Sequence, residues 1–294
     1  MMNPKIKDIL IRAASGVVML VVMLTAILWS PWSLGALLVA ITAGVTWEHL
    51  RLSEHCGAQP QKVMAMGLAL LVVTPFVLVL LNNEDYLLTD SVGVAFVMTF
   101  VIMIATLVVL FVELFRQRET PIQNVGATIL PALQVALPIA MLSLLPLMGE
   151  GYNYGEGYHY NAWRVVAFFS IIWANDVFAF LVGITLGRHR LCERISPKKS
   201  WEGFIGGIVA AMGVALLAAH LLGENMYVWA GLGLVSSLAA VAGDLIESMF
   251  KRAAGVKDSG AIMPGHGGWF DRFDAVLTAA PVAVIYLLIL TETW

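Results

Sequence analysis

The run GDLIESMFKRAAGVKDSGAIMPGHGGWFDRFD, residues 243–274, begins inside one apolar segment and ends where the next begins. It carries five acids, four Lys or Arg and one His, a density matched nowhere else in a chain of 294 residues that is 60% hydrophobic and 13% charged. A charged connection between two greasy segments is the pattern of a site at the edge of a membrane. On a helix, Asp244, Glu247, Ser248 and Lys251 stand at i, i+3, i+4 and i+7 and share one stripe. Asp271 and Asp274 repeat the i, i+3 spacing at the start of the following segment. Carboxylates from two neighbouring helices suit a hard cation that keeps water positions open for phosphate oxygens. Gly265, Gly267 and Gly268 surround His266, and a backbone with so few β-carbons brings its N–H groups against an anion. Lys251, Arg252 and Lys257 add positive charge.

Outward from this run, composition decides the class. A soluble domain carries about 25% charged residues, and the mean hydropathy here is +0.84. The expectation is an all-α integral membrane protein. A bilayer core takes about 20 apolar residues per helix. Nine windows qualify: 9–29, 33–50, 63–81, 92–112, 126–148, 164–186, 203–222, 227–247 and 275–291. Pro131, Pro138 and Pro146 interrupt the fifth, and prolines kink membrane helices without ending them. The first window is longer than a signal-peptide core and reads as a retained transmembrane helix. With nine spans, sixteen of the 17 basic residues fall on one side and Arg164 alone on the other. Lys and Arg stay cytoplasmic, so the N-terminus and the 243–274 run are expected in the cytoplasm and the C-terminus outside.

No repeat or linker divides the chain, and 1–294 reads as a single membrane domain. Helices within 1–162 serve mainly packing, while 163–294 carries the catalytic helices and cytoplasmic loops. A formal charge of −3 gives no reason to expect nucleic acid. Cys56 and Cys192 show no paired spacing, so neither a disulfide framework nor a cysteine zinc site is indicated.

Two further polar groups stand out. Asn175 and Asp176 lie mid-span, where an ionisable side chain costs about 2.5–3.5 kcal/mol on insertion scales and is functional by default. Ser196, Lys198, Lys199, Ser200 and Glu202 precede a glycine-rich helix start at Gly203, Gly206 and Gly207. A helix N-terminus behind lysines is a seat for phosphate, and the same glycines equally suit close helix packing.

Ser248, Lys251, Arg252, Lys257, Asp258, Ser259, Gly260, Pro264, His266, Gly267, Gly268, Asp271, Arg272 and Asp274 match S-x-x-K-R-x4-K-D-x-x-x5-H-G-G-x-x-D-R-x-D. In this pattern the chain resembles the phosphatidate cytidylyltransferases, or CDP-diacylglycerol synthases. The stretch SPKKSWEG at 196–203 is similar to that family's second hallmark. The likeness is close from Trp173 onward and consists before that of hydropathy and short echoes such as Trp47-Glu48.

The resemblance implies an enzyme that transfers the cytidylyl group of CTP to phosphatidic acid, giving CDP-diacylglycerol and pyrophosphate. It would work with Mg²⁺, one or two cations, as an integral protein of the bacterial inner membrane and among membrane lipids. A homodimer is also implied. The expected roles follow: Asp244, Asp271, Asp274 and Asp176 on metal, and Lys251, Arg252, Lys257, Asp258 and His266 with Asp244 and Asp271 in catalysis. Ser196, Lys198, Lys199, Ser200, Glu202, Asn175, Ser248, Gly267, Gly268 and Arg272 would bind substrate. Two other classes use some of these features. A CTP-dependent polyprenol or dolichol kinase would release CDP, and a secondary transporter would explain intramembrane acids but not the one-sided charge.

Overall fold

The computed structural model describes residues 4–81, 91–148, 160–260 and 267–291, with side chains described from 14–81, 98–148, 160–260 and 267–290. His266 and Gly265 lie outside the described residues, as do most of the two acid- and aromatic-rich connections at 82–90 and 149–161. Helices account for nearly all of it: α1 (Pro4–Trp29), α2 (Pro31–His55), α3 (Lys62–Leu81), α4 (Ser91–Arg116), α5 (Pro121–Pro131), α6 (Leu137–Leu142), α7 (Ala162–Leu186), α8 (Trp201–Leu222), α9 (Met226–Ala253) and α10 (Phe270–Thr291).

Every expected span coincides with a helix. Among the described residues, eight helical segments are long and apolar enough to cross a membrane, and α1 adds an apolar stretch at Ala14–Trp29. The fifth span is continuous over Pro121–Leu147, although α5 and α6 are joined by a π-helical turn, Ala132–Ala136, and followed by a 3-10 turn at Leu145–Leu147. Prolines remove N–H donors from the ladder, and such local widening and tightening re-satisfies the carbonyls they leave. A short antiparallel hairpin, β1 (Arg190–Cys192) with β2 (Ser196–Ser200), precedes α8 and is not anticipated by any alternation in the sequence.

The helices pack as two compact units. The first holds α1 to α5, the π turn and the segment Lys251–Phe273. Its α2 starts at a reciprocal cap, Ser33 N on Ser30 Oγ at 3.2 Å and Ser30 N on Ser33 Oγ at 3.0 Å, with Pro31 at the first helical position. An apolar cluster of Leu68, Ala69, Val72, Val109, Ala132 and Ala136 joins α3, α4 and the π turn. Beside it lies a polar knot: buried Glu113 accepts from Gln61 Nε2 (2.9 Å), Asn124 Nδ2 (2.7 Å) and Arg116 Nη1 (2.7 Å). Asn124 Oδ1 in turn accepts Gln59 N at 2.6 Å and Thr128 Oγ1 accepts Gln61 N at 2.9 Å, fastening the α2–α3 connection to α4 and α5.

The second unit holds α6 from Pro138, α7, the hairpin, α8, α9 to Phe250, and α10 from Asp274. Small residues bring its backbones together. A β-carbon on Gly206 would stand 2.6 Å from Val182 Cγ2, and one on Gly207 would stand 2.7 Å from Asn175 Oδ1. Gly203, Gly206 and Gly207 therefore serve the α7–α8 contact. α9 and α10 run antiparallel: Tyr286 Oη donates to Val228 O at 3.0 Å, Thr278 Oγ1 to Ala239 O at 2.7 Å, and Gly243 meets Asp274. Arg164, the one base apart from the rest, is neutralised by Glu224 at 2.7 Å.

Candidate active site

In the second unit three acids converge. Asp244 and Glu247, one turn apart on α9, and Asp274 of α10 each place a carboxylate oxygen within 4.8 Å of the others. Gly243 makes this possible, because any β-carbon there would collide with Thr278 Oγ1 and the carbonyl of Asp274. Like charges this close repel by roughly 3–4 kcal/mol per pair at an effective dielectric near 20, so positive charge among them is strongly favoured. Lys199, at the end of the hairpin, supplies some of it, with Nζ 2.5 Å from Asp244 Oδ2. Ser248 Oγ lies 3.3 Å from Asp244 Oδ1, and Asp176 of α7 is within electrostatic reach of Asp244 and Lys199. Three oxygen donors from two facing helices, with half-exposed Asp244 and Asp274, fit a hard divalent cation that retains part of its water shell.

The hairpin is held by groups expected from the sequence to bind substrate. Glu202 accepts Arg188 N (3.0 Å), His189 N (3.2 Å) and pairs with His189 Nδ1 (2.6 Å), closing the base of the hairpin. Ser200 is buried and caps α8 through Gly203 N at 3.2 Å. Lys198 is exposed on β2 and Ser196 half-buried. Asn175 is buried against Gly207.

In the first unit, Lys251 and Arg252 occupy the last turn of α9, which extends to Ala253. Cations are favourable at that end of a helix. Lys251 Nζ is 2.7 Å from Asp271 Oδ1, both largely buried. The other oxygen, Asp271 Oδ2, accepts Ser259 N (2.9 Å) and Gly268 N (2.8 Å) and lies 2.8 Å from Ser259 Oγ, whose single proton can serve only one carboxylate at a time. Gly267, at φ +80°, turns the chain where a side chain would press on Asp271. Arg252, Lys257, Asp258 and Arg272 are exposed around this knot.

Two acids in these clusters stand outside the expected site residues. Glu247, in the polar stripe of α9, joins Asp244 and Asp274, while Asp271, also expected on metal, is paired with Lys251 in the first unit. Glu48 of α2, 4% exposed, accepts Ser259 Oγ at 2.8 Å and the amides of Trp269 and Phe270 at 2.9 Å each. The signal for Glu247 was the i, i+3 register with Asp244, and for Glu48 it was an acid inside an apolar window.

The model of the Cytidylyltransferase family matches residues 10–290. The phosphatidate cytidylyltransferase of Staphylococcus aureus (strain COL) is 46% identical over 135 residues, 45% of this chain and 50% of that protein. That of Mycobacterium leprae (strain TN) is 39% identical over 170 residues, 58% of this chain and 51% of that protein. That of Staphylococcus haemolyticus is 38% identical over 148 residues, 48% and 55% respectively. The chain spans about half the length of these curated relatives. With the family model covering nearly its whole length, the chain belongs to the cytidylyltransferase family.

Proposed function

We propose that this protein transfers the cytidylyl group of CTP to phosphatidic acid, at the cytoplasmic face of a bacterial plasma membrane. The observation that carries the reading is the acidic trio Asp244, Glu247 and Asp274 with Lys199 against it, in a chain of membrane-crossing helices whose relatives bear that activity in their names. The orientation rests on the one-sided distribution of Lys and Arg, and a homodimer on the family resemblance alone.

A lipid phosphate is already anionic and needs little help from a base. The difficulty lies in bringing it against a triphosphate. Asp244, Glu247 and Asp274 would hold Mg²⁺, with Asp176 near enough to add negative charge. When bound, the cation neutralises phosphate oxygens and favours departure of pyrophosphate. Lys198 and Lys199 bind phosphate oxygens beside that cluster, while Arg252, Lys257 and Arg272, exposed around the Lys251–Asp271 pair, attract the anionic headgroup. An oxygen of phosphatidic acid forms the new bond to the α-phosphorus as the bond to the β-phosphate oxygen breaks. The acyl chains remain in the bilayer throughout.

Purified protein given CTP, Mg²⁺ and phosphatidic acid should yield CDP-diacylglycerol and pyrophosphate in equal amounts. Release of CDP with a phosphorylated lipid would indicate a kinase, and solute flux in sealed vesicles without CTP a transporter; either outcome removes this reading.

A further inference from the structure

A helix normally meets its first free N–H groups with a Ser, Thr, Asp or Asn placed just before it. α10 has no such residue: Trp269 precedes Phe270, and Gly267 and Gly268 precede Trp269. The acceptor comes instead from α2. Glu48 Oε1 takes Trp269 N and Glu48 Oε2 takes Phe270 N, each at 2.9 Å. The same Oε2 accepts the Ser259 hydroxyl at 2.8 Å.

The surroundings are cut to this carboxylate. A β-carbon on Gly260 or on Gly268 would run into Glu48 itself. One turn earlier on α2, a β-carbon on Gly44 would stand 2.7 Å from the Trp269 indole, so the ring lies flat on bare backbone. His49 sets its ring 5.9 Å from that of Phe270. The glycines near the signature His thus do admit an anion, and the anions their neighbourhood receives are the protein's own Glu48 and Asp271.

Ser259 connects the two. Its Oγ is 2.8 Å from Glu48 Oε2 and 2.8 Å from Asp271 Oδ2, and Asp271 faces Lys251 through its other oxygen. We infer that Glu48 is a positioning residue for the reaction: by seating the start of α10 and the Ser259 hydroxyl, it holds Asp271 and Lys251 in their working arrangement. The inference rests on the cytidylyl-transfer reading for its kinetic consequence and not for its structural one.

The test uses full-length protein in detergent and in vesicles, with Glu48→Ala, Glu48→Gln, Gly268→Ala and the Glu48→Ala/Gly268→Ala pair. Displacing a reacting group by about 1 Å costs on the order of 10²-fold. Glu48→Ala and Glu48→Gln should lower kcat by about that factor with the KM for CTP changed less than about twofold, at wild-type yield and elution volume. Gly268→Ala should lower kcat by itself and add nothing to Glu48→Ala, since the truncated side chain vacates the room the new methyl needs. Hydrogen exchange at the Trp269 and Phe270 amides should accelerate in both Glu48 variants while the middle of α10 stays protected. If wild-type protein forms no CDP-diacylglycerol, the functional reading fails and exchange alone decides the role of Glu48. Unchanged exchange at those two amides, unchanged kcat in an active enzyme, or multiplying effects of Glu48→Ala and Gly268→Ala would each overturn the inference. Should Glu48→Ala not accumulate, Glu48→Gln, which keeps the shape, separates the same outcomes.

Discussion

Gly243 of α9 lies directly against the Asp274 carbonyl of α10, with no room between them for a single methyl. That contact, and not the spacing of either motif, sets Asp274 beside Asp244 and Glu247. Gly243→Ala should force the two helices apart, costing about 1–3 kcal/mol as overpacking does. Thermal unfolding in detergent should shift downward and turnover should fall with it. Thr278→Ala, which removes the hydroxyl that the new methyl would meet, should restore part of both, while the contact with the Asp274 carbonyl remains.

Divalent cation binding can be read without turnover. A ligand at 100 times its Kd stabilises the folded state by about 2.7 kcal/mol. Mg²⁺ should therefore raise the melting temperature of the wild type. Glu247→Gln and Asp274→Asn should each blunt that rise and raise the Mg²⁺ concentration needed for activity. Treatment with a chelator should abolish product formation, and Mg²⁺ should restore it.

Asp271→Asn replaces an acceptor by a donor on one side of a group that meets Lys251 Nζ, Ser259 and Gly268. Turnover should fall by more than about 100-fold, while insertion and extraction from membranes stay normal. CTP-dependent formation of CDP-lipid at near wild-type rate by this variant would exclude Asp271 from the site.

Lys199→Ala removes the cation 2.5 Å from Asp244 and, under the proposed function, a phosphate ligand with it. The KM for CTP should rise and the Mg²⁺ requirement should change in the same variant. Lys199→Arg should recover part of the loss, because the charge is kept on a longer, planar group.

Glu113→Ala should act on stability alone. It strips an acceptor from Asn124 and one of two from Gln61, whose Nε2 keeps Val109 O at 3.0 Å, at about 1–3 kcal/mol for each buried N–H left without a partner. The melting temperature should drop, and the kcat of the protein that remains folded should match the wild type.

Much of the fold was legible because a bilayer reduces it to length and hydropathy. Each of the nine apolar windows lies on a helical segment whose ends are no more than six residues from those expected, while the caps at Ser30, Asn161 and Ser200 lie just outside the windows. The hairpin escaped notice since SPKKS is too short and too polar to alternate. Lys198 and Lys199 were legible as neighbours of a helix start, but the glycines that follow pack on α7.

From residue order alone came the membrane class, the helix positions and the signature that marks the family, for each depends on local composition or on spacing along the chain. Which acids meet was decided by folding. Glu247 joins Asp244 and Asp274 because Gly243 lets α10 approach. Glu48 reaches Ser259 across 211 residues because α2 and the start of α10 pack in one unit. Carboxylate partners are chosen by which backbones come within a few ångströms, and that distance is set by packing between segments that no spacing along the chain encodes.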